Sequence, residues 1–236
     1  MHSFPKFSSK RNLEMEAAMK GSVQICRGFT VRQWGKLKVL MEKDNDAAWK
    51  CAITVFERRI RERYLACIEA LIAADSRADV DVPDDAPGDC STLPNDGPTG
   101  ATVPGFAIMA LSCLLVETLH SFRVESGSNE QRFREFLKLN AFGEAFAQPG
   151  MAEKFLKGVR NKLLHQAKTE QWIIRREKNN GMIVERRDGR YIVYRNCFFK
   201  AVSEEFARYL EDLRKPGQTE LRALFKKKMN DIVKES

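Results

Sequence analysis

The chain has few of the residues that build most enzyme centres. It holds three histidines in 236 residues, at positions 2, 120 and 165. Its six cysteines, at 26, 51, 67, 90, 113 and 197, include no Cys-x-x-Cys pair. That argues against a zinc knuckle. Cys51, Cys67 and Cys113 fall within apolar helical patterns and are expected to be reduced core thiols. A cytoplasmic location follows as the simplest expectation. No apolar run approaches the roughly 20 residues that cross a bilayer. The longest, Phe106 to Val116, ends at Glu117. Residues 1–29 carry basic side chains but no apolar stretch of a secretory signal, and Glu14 and Glu16 interrupt them. No Gly-rich phosphate loop, nucleophile elbow or paired-carboxylate motif occurs. The expectation is therefore no metal, no cofactor and no membrane.

Charge is present in quantity and unevenly placed. Forty Lys and Arg stand against 32 Asp and Glu, a formal +8 with pI near 9.2. Residues 75–104 hold seven Asp, one Arg and five of the eight prolines, a net of −6. Subtracting that from +8 leaves +14 for the remainder. Such a segment has too little apolar surface to offset its ordering entropy, so residues 77–103 are expected to form a long acidic loop. Residues 151–236 hold 21 of the basic and 12 of the acidic residues, a net of +9. A basic balance of this size suits a phosphate-rich partner.

Hydrophobic periodicity predicts a mainly α fold. Thr30 caps a short helix over 31–42, which with the preceding residues forms an N-terminal extension over 1–45. Trp49, Ile53, Phe56, Ile60, Tyr64, Cys67, Ile68 and Leu71 recur every three or four residues, predicting a long helix opened by Asp44, Asn45 or Asp46. Residues 106–122 are apolar nearly all round and predict a buried helix. A short helix follows over 130–139, then a further one over 151–167 opened by Pro149-Gly150. The pattern next switches to short β-prone runs at 172–176, 182–186 and 191–194. Asn179-Asn180-Gly181 and Asp188-Gly189 separate them, so a small antiparallel β-meander is expected. A helix over 197–214 with Phe198, Val202, Phe206, Tyr209 and Leu213 on one stripe closes the main domain (46–215). A basic helix follows in 216–236.

The helix over 151–167 has the most informative polar face. Phe155, Leu156, Val159, Leu163 and Ala167 cover one apolar arc, while Asn161 and His165, four apart, stack on the opposite side. Arg160 lies at the arc's edge. A solvated helix face and a reactive one both fit this pattern. The reactive reading has a definite chemistry. Histidine is the side chain that moves protons near neutral pH. Arginine fixes a phosphate by paired hydrogen bonds and stabilises its developing charge. Together they suit attack of a ribose 2′-OH on its own phosphodiester without a metal. That reaction needs a base and an acid, and a symmetric dimer would supply a second His165.

Arg160-Asn161-x-x-x-His165 resembles the Arg-x(4–6)-His motif of the HEPN domains (higher eukaryotes and prokaryotes nucleotide-binding), in which a polar residue, often Asn, follows the Arg. The likeness extends over about residues 47–213 through helix order and the late motif. The acidic loop and the β-meander depart from the simplest members. The resemblance implies an all-α bundle, a homodimer, a metal-independent ribonuclease, and possible antitoxin or phage-defence partners. It makes Arg160 and His165 catalytic, with Asn161 in support. Glu117 is a candidate supporting residue, because a carboxylate on an apolar helix needs a reason to be there. His120, three residues on, joins it either as a support or as a hydrogen-bonded pair with Glu117. Glu153 and Lys157 are expected to form an i,i+4 ion pair.

The meander carries Arg175, Arg176, Lys178, Arg186, Arg187 and Arg190, interleaved with Trp172, Tyr191 and Tyr194. Two arrangements remain open. Aromatics and arginines exposed together would stack on bases and hold phosphates. Aromatics turned inward would leave the charges in solvent. The leading expectation is thus an endoribonuclease acting on RNA. The alternatives are a non-catalytic nucleic-acid-binding or assembly subunit and, less favoured, a DNA-binding regulator, for which no helix-turn-helix stands out.

Overall fold

A computed structural model of the chain describes residues 21–43, 45–75, 104–176 and 180–234. The expected acidic loop, most of the N-terminal extension, Asp44 and Lys178 lie outside the described residues. The protein is mainly helical, with two small sheets among the described residues. Among the described residues no helix is long and apolar enough to cross a membrane. The chain divides into two compact units: Met1–Arg63 with Ala207–Ser236, and Tyr64–Phe206.

The first unit joins the two ends of the chain. Strands β1 (Gln24–Cys26) and β2 (Phe29–Thr30) turn through Gly28, whose φ of 78° suits a residue without Cβ. Helix α1 (Val31–Met41) follows at once, opened by a capping box in which Thr30 and Gln33 satisfy each other's backbone N–H. Helix α2 (Asp46–Ile60) starts at Asn45, whose side chain accepts from Ala48 N–H. The arginines Arg58 and Arg59 do not simply face water. They donate to the carbonyls of Arg27 and Ile25 and so hold β1 against the helix. Trp34, Trp49, Phe56, Tyr209 and Phe225 form the aromatic centre of this unit. Trp34 Nε1 donates to Asn230 on the last helix at 3.0 Å. The N-terminal helix and the C-terminal basic helix, which the sequence reading treats as separate appendages, therefore pack on each other.

After α2 the helix continues through a wide π-turn, Arg61–Leu65, into α3 (Ala66–Ala74). A π-turn adds about one residue to the turn and rotates everything after it. The buried stripe accordingly passes from Ile60 to Leu65 and Ile68. Cys67, expected in the core, is turned outward and exposed. Cys51 is exposed too, because it lies about 200° round the helix from Trp49. Cys113 is buried as expected, and burial pushes its thiol far up.

The second unit is built around phenylalanines. Helix α4 (Gly105–His120) is buried along most of its length, although Phe106 and Leu114 remain exposed. Helix α5 (Asn129–Phe136) buries Phe133 and Phe136. A 3-10 segment, Asn140–Phe146, then kinks at Gly143. The buried carboxylate of Glu205 accepts from Ala141 N–H at 2.6 Å and stands 3.8 Å from Arg123, which fixes that segment. The motif helix is a continuous run: α6 (Met151–Phe155), a π-turn (Leu156–Asn161) and α7 (Lys162–Gln166). Its Phe155 is fully buried against Phe133, Phe146, Trp172 and Phe198, with ring centroids 5.2–6.2 Å apart. Burying such a ring contributes about 2–3 kcal/mol and fixes which face of the helix points inward.

The expected antiparallel meander is corrected in part. The strands are β3 (Trp172–Arg175), β4 (Val184–Arg187) and β5 (Arg190–Tyr194), in the order β3-β5-β4. β4 and β5 form the expected hairpin, with Asp188 and Gly189 both at positive φ. β3, however, runs parallel to β5 and does not pair with β4. The reason lies in β5. Tyr191, Ile192, Val193 and Tyr194 are all buried, so this strand takes the centre, where both of its edges are paired. Helices α8 (Arg195–Arg214) and α9 (Thr219–Lys234) complete the chain.

Candidate functional site

The polar face of the motif helix begins in the π-turn. There Arg160 donates from Nε to Glu117 Oε1 on α4 at 2.5 Å and from Nη1 to Asn161 Oδ1 at 2.8 Å. Both charged side chains are mostly shielded from solvent. The Glu117 carboxylate raises the Arg160 pKa above its ordinary value, so the guanidinium stays charged even though burial opposes it. Among the described residues its Nη2 has no hydrogen-bond partner.

The sequence put Asn161 with His165 on a straight α-helical face. Asn161 ends the π-turn, and its side-chain oxygen accepts from Arg160. His165 follows in α7 and is exposed, with no hydrogen bond or ion pair among the described residues. The helix ends just beyond it at Ala167, which adopts left-handed φ of 50°. Ala167 is therefore exposed at the helix end and does not extend the apolar arc. The chain then folds back on the helix. Glu170 N–H donates to the Gly158 carbonyl at 2.9 Å, and Lys162 pairs with Glu170 at 3.2 Å.

Of the two expected supporting residues, Glu117 meets Arg160 and His120 does not join them. His120 is buried against Phe136, and its Nε2 lies 3.3 Å from Glu135 Oε2. Burial pushes its pKa below the ordinary value, although the Glu135 carboxylate opposes this. Three positions apart on α4, Glu117 and His120 find different neighbours because one faces the motif helix and the other faces α5. Glu153 pairs with Lys157 at 3.0 Å and also with Arg134. These two cations hold its carboxyl below the usual range, the Arg134 hydrogen bond being the larger cause.

The β-sheet settles the aromatic question. Trp172, Tyr191 and Tyr194 are only 5, 9 and 6% exposed, so no base can stack on their faces. Tyr194 donates to Glu185 at 2.5 Å, and burial with that bond pushes its pKa up to about 12. Arg186, Arg187 and Arg190 are exposed; Arg175 and Arg176 are half-buried, with Arg176 Nε fully covered. Arg187 stands 3.7 Å from Asp188. Arg186 leans over the Tyr191 ring at 5.7 Å. So the expected basic strip divides into outward arginines on the β4–β5 hairpin and partly enclosed ones on β3.

The arrangement is a clamped, charged arginine, followed five residues later by a solvent-facing imidazole. Among the described residues no three His, Cys, Asp or Glu side chains group to hold a metal ion. The protein is thus a mainly helical one whose concentrated polar chemistry lies on one interrupted helix. Compared with models of protein families, with curated proteins and with solved structures, the chain matches none.

Proposed function

We propose that the chain is a metal-independent endoribonuclease of the HEPN type, with an HEPN-like bundle as its catalytic body. The observation that carries this reading is the Glu117–Arg160–Asn161 set followed, five residues after the arginine on the same helix, by an exposed His165. Arg160 binds the non-bridging oxygens of the scissile phosphate through Nη2. His165 of one protomer takes the proton of the ribose 2′-OH as the O2′–P bond forms. His165 of a second protomer gives a proton to O5′ as the P–O5′ bond breaks. The products are a 2′,3′-cyclic phosphate and a 5′-OH. Glu117 and Asn161 keep the guanidinium oriented without touching the substrate. A cytoplasmic toxin or defence effector, with an antitoxin or a defence complex as partner, fits this activity.

The test is cleavage of RNA in EDTA by wild type, His165→Ala and Arg160→Ala. Loss of a proton-transfer group or of a phosphate-stabilising cation is expected to slow cleavage about 10²–10³-fold. Equal cleavage by all three proteins, or strict dependence on Mg²⁺, refutes the proposal. A second reading has its own observation. Arg160 already has an internal partner in Glu117, as in a purely structural ion pair of a nucleic-acid-binding or assembly subunit. Salt-sensitive RNA binding without cleavage favours that reading.

A further inference from the structure

A separate cleft opens at Gly158. It has a volume of about 500 Å³, with Trp172 and Tyr191 in its wall and Lys154, Lys157 and Arg186 around it. The two rings stack at 4.9 Å and are themselves buried. Lys154 Nζ stands 5.6 Å from the Tyr191 ring centre and 3.3 Å from its hydroxyl. Arg186 stands 5.7 Å from the same ring centre. One tyrosine thus gathers two cations from two different elements, α6 and β4.

The nearby carboxylates, of which Glu170 lines the cleft, pair with cations other than Lys154 and Arg186. Glu170 pairs with Lys162, and Glu153 pairs with Lys157 and Arg134. Among the described residues Lys154 and Arg186 have no carboxylate partner. Both cations are exposed at the mouth of the cleft, and an anion placed between them gains attraction from both. The ring attracts both cations through its π face but cannot neutralise them.

We infer that this cleft binds a backbone phosphate of a single RNA strand, a few nucleotides from the bond that is cut. The inference rests on the reading of Arg160 and His165 given above. Lys154 and Lys157 share the motif helix with His165. At 1.5 Å per residue they lie roughly 12–16 Å along its axis, a separation that a strand crosses without leaving the protein. Because the rings are buried, the cleft contacts the strand through its phosphates and not its bases. Binding there is insensitive to sequence, and Lys154 is its central residue.

The experiment uses the full chain and a labelled 2′-O-methyl RNA strand, which has no free 2′-OH and so binds without being cut. Anisotropy titrations over a range of salt give the slope of log K against log salt. Each phosphate contact on a single strand contributes about −0.7. The double variant Lys154→Ala/Arg186→Ala is expected to flatten the slope by about 0.7, the loss of one phosphate contact, while Lys36→Ala in the other unit leaves it unchanged. An unchanged slope in the double variant overturns the inference, as does the absence of RNA binding by wild type. Displacement of the RNA by polyaspartate at a lower charge equivalence than by RNA itself assigns the cleft to an acidic protein and also overturns it. The two readings separate cleanly. A flattened slope with no RNA cleavage by wild type in EDTA upholds the cleft and rejects the nuclease. Cleavage with an unflattened slope does the reverse.

Discussion

Placing a methyl group at Gly158 sets two opposed effects against each other. In an ordinary helix interior, Gly→Ala stabilises by about 0.5–1 kcal/mol, because glycine loses more backbone freedom on folding. Gly158 is helical, and by that rule alone alanine should be better. But a Cβ there would meet Trp172 Cδ1 at 2.7 Å, Trp172 Nε1 at 2.8 Å and the Glu170 carbonyl oxygen at 2.9 Å. The indole cannot retreat, since Phe155 and Tyr191 pack on it at 5.2 and 4.9 Å. The carbonyl cannot retreat either, since it belongs to the backbone that folds back on Gly158. Overpacking of this kind costs about 1–3 kcal/mol. The clash therefore outweighs the helical gain, and Gly158→Ala is expected to lose about 1–2 kcal/mol net. For a chain of this size that corresponds to a fall in Tm of roughly 3–6 °C. Gly35 supplies the comparison. It is helical and exposed, and a Cβ there meets nothing within 4 Å, so Gly35→Ala is expected to gain about 0.5–1 kcal/mol. Urea unfolding followed by circular dichroism and tryptophan fluorescence measures both. A Gly158→Ala protein as stable as wild type, or more so, would refute the packing argument.

Two further outcomes test the second unit. Arg195 and Asp75 form a buried ion pair at the end of α3, against Gly105. Arg195→Met strands a buried carboxylate and is expected to cost about 3–5 kcal/mol, whereas Arg195→Met with Asp75→Leu recovers much of that loss; urea midpoints that are equal for single and double variants would contradict it. His120, depressed below its ordinary value of about 6.5 by burial, binds fewer protons in the folded state than in the unfolded state at mildly acidic pH. Its contribution to stability is therefore complete above about pH 6.5 and lost as pH falls below that. Glu135, held low by its bonds to Gln131 and His120, adds a loss of the same sign at more acidic pH. Urea midpoints between pH 8 and 5 are expected to decline for wild type and to decline less for His120→Leu.

Where helices begin and end was legible because the signals are local. Thr30 and Asn45 cap α1 and α2, and the Phe198-to-Leu213 stripe is buried as its spacing requires. Asp188-Gly189 makes its hairpin because positive φ is a property of the turn residues themselves. The core face of the motif helix was likewise readable from Phe155, Leu156, Val159 and Leu163. These are facts about residues within a few positions of one another.

Tertiary structure decided everything that needed a partner chosen across the fold. Nothing local distinguishes Glu117 from His120 as the neighbour of Arg160; the crossing of α4 with the motif helix does. Nothing local reveals that β5 would take the centre and draw β3 in parallel to it. The π-turn at 61–65 moved Cys67 out of the core, because a single added residue rotates a helical face that a periodicity count assumes to be straight. Lys154 stands four residues before Gly158 with nothing in its local sequence to mark it. Its relation to Tyr191, 37 residues away, exists only once the sheet has folded against the helix. Sequence fixes local conformation because backbone sterics and side-chain spacing act over a few residues. It leaves pairings open because each depends on which surfaces burial brings together.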